Sequence, residues 1–115
     1  MIETLIRTHV EAFNTHDLDT LMAGFTEDAV WVTGRTTARG RAELTELFAG
    51  AMEGLLPTLT VQHLIVGEDR AACQMVETFT FDGAELTDHI AGFYDIAHGR
   101  IAAAKIYREG SADIG

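Results

Sequence analysis

The chain is poor in several features that usually decide a protein's class. It holds one cysteine, Cys73, so no intrachain disulfide can form. It holds one proline, Pro57, so no proline-rich linker divides it. Cations are scarce: eight Lys and Arg stand against eighteen Asp and Glu, for a formal net charge of -10. Nucleic acid and anionic membrane surfaces repel such a chain, and both are set aside as partners. No apolar run approaches the roughly 20 residues that cross a bilayer. The opening Met1-Ile2-Glu3-Thr4 lacks the basic start and continuous apolar stretch of a secretory leader. Cys73 sits in an apolar run, where a thiol acts as a small buried hydrophobe, and this suits a reducing compartment. The expectation is one cytoplasmic domain over residues 1–115.

What is present suffices for a packed interior, since 47% of the 115 residues are apolar. Ile2, Leu5, Ile6, His9, Val10 and Phe13 recur at spacings of three and four, one apolar stripe on a helix. Asn14-Thr15-His16-Asp17 breaks it, with Asp17 placed to cap a second helix that buries Leu18, Leu21, Met22 and Phe25. Ala29 to Thr33 reads as a short strand and Gly34 to Gly40 as a polar loop. Leu44, Leu47, Phe48, Ala51 and Leu55 then mark the inner face of a third helix, which Pro57 stops. Strands follow over Leu59 to Val66, Ala71 to Phe81, Leu86 to Ile96 and Ile101 to Arg108. Helices first and a meander afterwards predict an α+β fold, with the helices covering one face of the sheet.

Asp82-Gly83 is the dipeptide of a type I′ hairpin, whose two central residues need positive φ. A two-residue loop sets Phe81 opposite Ala84, Phe79 opposite Leu86, Glu77 opposite Asp88 and Met75 opposite Ile90. A three-residue loop would instead bring His89 opposite Glu77. In the first register two carboxylates meet on the apolar face. Like charges at that distance raise one pKa and make a candidate general acid or base. An arginine between them would remove that effect. His9 interrupts the stripe of the first helix and is a second acid–base candidate. His16, His63, His89, His98 and the lone Cys73 show no metal-ligand spacing, and no phosphate loop or nucleophile elbow is present, so neither metal nor cofactor is expected.

The order of elements resembles the nuclear transport factor 2-like superfamily, and within it the SnoaL-like polyketide cyclase and ketosteroid isomerase branch. The resemblance rests on Phe13-Asn14-Thr15-His16-Asp17-Leu18, Phe25-Thr26-Glu27-Asp28-Ala29-Val30-Trp31, Arg39-Gly40-Arg41, Gly83, Phe93-Tyr94-Asp95-Ile96, His98-Gly99-Arg100-Ile101 and Tyr107. It implies three N-terminal helices on a strongly curved antiparallel or mixed sheet, a cone-shaped pocket between them, and a homodimer formed through the outer sheet face. The family's catalytic pattern does not carry over. Its helical oxyanion tyrosine falls on His9, its general-base aspartate near Thr33, and its protonated aspartate on Gly92 or Ala91. The Asp-Arg-Asp set of limonene epoxide hydrolase falls near Ile90, Gly92 and Ile106. The chain is thus not a standard member of either enzyme class.

The resemblance turns Trp31 and Thr33 inward on the first strand and Ala104, Ile106 and Arg108 inward on the last. Together with Glu77, Asp88, His9, Met75 and Tyr94 they compose an apolar cavity with a few convergent polar groups, as small-molecule sites usually are. The expected catalytic groups are Glu77, Asp88 and His9. The expected substrate-binding residues are Trp31, Thr33, Met75, Tyr94, Ile106 and Arg108. The expected ligand is a small apolar or carbonyl-bearing molecule of polyketide, steroid or terpenoid type, turned over by cofactor-independent isomerisation, cyclisation or ring hydrolysis. The alternatives are a non-catalytic binding domain and an interaction module whose outer face carries Ala72, Val76, Ile101, Ala103, Lys105 and Tyr107. Arg35, Arg39 and Arg41 lie in the loop leading to the third helix, near where the family's pocket opens; they either attract an anionic or carbonyl-bearing ligand or are solvated, with Arg41 beginning the helix.

Overall fold

The computed structural model describes residues 1–54 and 57–109. Three helices, α1 (Ile2–Asn14), α2 (Leu18–Ala23) and α3 (Gly40–Glu53), pack on one face of a six-stranded sheet. The strands are β1 (Phe25–Thr33), β2 (Thr36–Arg39), β3 (Thr58–Val66), β4 (Arg70–Phe81), β5 (Ala84–Ala97) and β6 (Arg100–Arg108). They are ordered β2-β1-β6-β5-β4-β3, antiparallel except for the parallel pair β1 and β6, and the sheet is open. Leu55, expected on the inner face of the third helix, lies outside the described residues.

The helices form for the reasons their sequences give. α1 buries Ile6, His9, Val10 and Phe13, and Asp17 caps α2 by accepting from the Thr20 N–H at 3.2 Å. Phe25 departs from its expected place on α2. Gly24 ends that helix, and Phe25 becomes the fully buried first residue of β1. The supposed loop between Gly34 and Gly40 also contains a strand, β2, which returns against β1 with Ala38 opposite Trp31. Arg41 lies in the first turn of α3 and donates to the carbonyls of Met22 and Phe25, fastening the end of α2.

Three irregularities bend the sheet around the helices: between Phe25 and Val30 in β1, Val61 and His63 in β3, and Ile101 and Ala103 in β6, opposite Asp95 and Ile96 of β5. The one in β3 explains its loose alternation. Leu59 and Val61 face the core, then the phase slips and Leu64 takes the next inward place. Ile101, expected on the outer face, is fully buried, because Ala102 is an extra residue in β6 opposite Asp95 and Ile96 and reverses the alternation there. The free edge of β3 is covered at Leu59 by Asn14, which donates to its carbonyl at 2.8 Å and accepts from its N–H at 2.7 Å. No helix among the described residues is long and apolar enough to cross a membrane.

Candidate ligand pocket

The hairpin between β4 and β5 forms with the two-residue loop. Asp82 and Gly83 take φ of 53° and 78°, and Phe81 pairs with Ala84, Glu77 with Asp88 and Met75 with Ile90. A cavity of about 130 Å³ lies between this part of the sheet and helices α1 and α3. Eight of the nine nominated residues line it: His9, Trp31, Thr33, Met75, Glu77, Tyr94, Ile106 and Arg108. The ninth, Asp88, stands outside the lining and joins it only through Arg108.

Glu77 and Asp88 do not meet as a bare like-charge pair. Arg108 Nη1 donates to Glu77 Oε1 at 2.5 Å and to Asp88 Oδ2 at 2.8 Å. The mutual repulsion expected of the two acids is therefore relieved by one shared cation. Burial works against the Arg108 charge, but the hydrogen bonds and attraction of Glu77, then of Asp88, outweigh it and raise the guanidinium pKa. The Glu77 side chain is only 13% exposed, whereas that of Arg108 is 40% exposed, so the ion cluster forms the polar, open end of the cavity.

The other end is aromatic. His9 lies within 5.5 to 6.3 Å, centroid to centroid, of Phe25, Trp31, Phe48 and Tyr94. Its Nδ1 has no hydrogen-bond partner among the described residues. Desolvation lowers the imidazole pKa from 6.5 to about 4, so the ring is neutral at physiological pH. Burial likewise pushes the Tyr94 phenol above its usual value, with Cys73 adding to the shift. Tyr94 lies back over Gly92. A Cβ at position 92 would stand 2.5 Å from the Tyr94 hydroxyl and 2.8 Å from Cζ. The resemblance matches the isomerase aspartate to Gly92 or Ala91, and at Gly92 the phenol oxygen of Tyr94 occupies the space of a side chain.

Sequence reasoning did not nominate the remaining wall, formed by Phe13, Leu47, Phe48, Ala51, Pro57, Leu59 and Ile90. Two of these carried a usable signal. Phe13 follows His9 by one helical turn, and Ile90 pairs with Met75 in the assigned register. Of the cluster of cations, Arg35 and Arg39 are exposed, and Arg41 stands in the first turn of α3 with its guanidinium on backbone carbonyls, the solvated arrangement with Arg41 beginning the helix. Among the described residues no three His, Cys, Asp or Glu side chains gather as metal ligands.

No curated protein matches the chain. Solved structures do match, at identities that establish the fold alone. An NTF2-like protein of unknown function from Burkholderia pseudomallei is 17% identical, with 93% of this chain and 89% of that one covered and a TM-score of 0.86. A candidate polyketide cyclase from Sinorhizobium meliloti is 21% identical, with 90% and 94% covered and a TM-score of 0.81. The epoxide hydrolase/cyclase-like enzyme SalBIII, of pyran ring formation in the polyether salinomycin, is 19% identical, with 96% and 92% covered and a TM-score of 0.86. The three helices, the bent mixed sheet and the cavity between them agree with a family match over residues 6–104, and the chain belongs to the SnoaL-like domain family.

Proposed function

We propose that the chain is a cofactor-independent acid–base enzyme acting on a small, mainly apolar, oxygen-bearing molecule. The observation that carries this reading is a single cavity with a carboxylate, Glu77, at its polar end and two uncharged hydrogen-bonding groups, His9 and Tyr94, among aromatic rings at the other. In an isomerisation, Glu77 removes a proton from the carbon between a carbonyl and a C=C bond. The electron pair spreads onto the carbonyl oxygen of a dienolate, where His9 or Tyr94 stabilises it, and Glu77 returns the proton at the far carbon as the C=C bond moves into conjugation. Thr33 and Arg108 position the substrate, and Asp88 acts through Arg108. Cyclisation and ring hydrolysis use the same groups, and the names of the polyketide cyclase and the epoxide hydrolase/cyclase-like neighbours support those reaction classes.

A non-catalytic binding domain is the second reading, favoured by one specific observation: Arg108 engages both acids. Turnover separates the two. Wild-type protein is incubated with cyclohex-3-enone and with cyclohexene oxide, and conversion to the conjugated enone or the diol is followed by gas chromatography. Conversion that disappears in Glu77→Gln, while cyclohexanone still binds, supports the enzyme. Binding without conversion assigns the protein to the second reading. The proposal extends to a cytoplasmic homodimer joined through the outer face, where Phe93 and Tyr107 are about half exposed and meet edge to face at 5.7 Å. Light scattering of Phe93→Lys tests it, and a monomeric wild type would refute it.

A further inference from the structure

The His9 side chain is buried, at 4% exposure. Its four aromatic neighbours pack against the ring but offer Nδ1 nothing to bond. A buried polar atom without a partner gives up the hydrogen bond it held in water, and such atoms are rare outside functional sites. His9 also lines the cavity, so the space beside it is open to a ligand. That space is small. Its volume of about 130 Å³ compares with the ~150 Å³ that accommodates one benzene ring, and is well short of a fused tetracycle. The inner walls are apolar or aromatic and supply no counter-charge. The same desolvation that keeps the imidazole neutral therefore opposes any ion placed there.

We infer that the ligand places in this cavity an uncharged, single-ring body bearing one oxygen, hydroxyl or carbonyl, that hydrogen-bonds to His9. The inference rests on the reading of the cavity as a small-molecule site and adds the substrate's size, charge and anchoring group. A neutral imidazole offers one donor and one acceptor, so cyclic alcohols and cyclic ketones both qualify. Any larger substrate sends its remainder out past Glu77 and Arg108.

The test is a titration of protein carrying ¹³C-methyl methionine, read at Met75, whose side chain faces the cavity. The probes are phenol, cyclohexanone, toluene, benzoate and tetramethylammonium. Phenol or cyclohexanone is expected to bind about tenfold tighter than toluene, with both ions at least as weak as toluene. In His9→Leu the gap between phenol and toluene closes while toluene affinity stays within about threefold, and His9→Asn, which restores a polar atom, reopens part of it. The wild-type comparison stands even if a variant fails to fold. Equal binding of toluene and phenol, a gap that survives in His9→Leu, or preferred binding of either ion overturns the inference while leaving a small-molecule site in place. If no probe moves the Met75 signal, the small-molecule reading falls as well.

Discussion

His9 should make the protein's stability depend on pH in a way that can be assigned to one residue. In the unfolded chain its pKa is near 6.5, whereas burial holds it at about 4 in the folded state. Between those values the unfolded state binds the extra proton and the folded state does not, so acidification favours unfolding. At about 1.4 kcal/mol per pKa unit, the loss amounts to roughly 2 kcal/mol between pH 7 and pH 5, and about 3 kcal/mol by pH 4. This is a large part of the 5–15 kcal/mol typical of a domain. Urea unfolding of the wild type and His9→Leu at matched pH values measures it. The difference between the two proteins cancels the other titrating groups, provided the urea slopes agree. Wild type should lose ground steadily against His9→Leu as the pH falls from 7 to 4. A difference that stays flat over that range would show that the folded imidazole charges as easily as a free one, and the assignment of a neutral, desolvated His9 would be wrong.

Three further substitutions test other parts of the structure. Gly92→Ala should cost about 1–3 kcal/mol in chemical denaturation, because its Cβ would press on the Tyr94 ring, and Tyr94→Leu in the same chain should recover part of the loss. Asn14→Ala removes both hydrogen bonds to Leu59 and should lower stability by about 2 kcal/mol; a change under half of that would mean the β3 edge finds other partners. Arg108→Leu leaves Glu77 and Asp88 facing each other without their shared cation. The expected loss is about 1 kcal/mol, discounted for the exposure of Arg108, and added salt or Glu77→Gln should diminish it.

Local chemistry was the legible part of this sequence. Asp82-Gly83 demands positive φ at two successive residues, which fixes the loop length and with it every pair from Phe81 and Ala84 to Met75 and Ile90. Strand β2 was not legible, because Thr36, Thr37 and Arg39 are exposed polar residues on a short edge with no hydrophobic alternation to betray it. Phe25 was misplaced because it continues the spacing of Leu18, Leu21 and Met22, and only the backbone turn at Gly24 separates it from them. The cavity was legible in its polar members and not in its apolar ones. Helical spacing marks Phe48 and Ala51 as inward, but inward residues fill a core and line a void with the same pattern. The Arg108 bridge was readable as an option only, since β6 reaches β5 through a pairing that spacing cannot order against the repulsion of the two acids.

The position of β6 carries a consequence for how the protein is made. This strand, the last among the described residues, lies between β1 and β5, and it supplies Ile106 and Arg108 to the cavity. While a ribosome is still holding residues 100–108, the N-terminal elements through α3 and the hairpins of β3, β4 and β5 have no sheet in common. Closing so long a stretch of chain is slow compared with forming a helix or a hairpin. Two half-built pieces with apolar surfaces must therefore wait for a central strand, and the cavity between helices and sheet comes into existence only once that strand has docked.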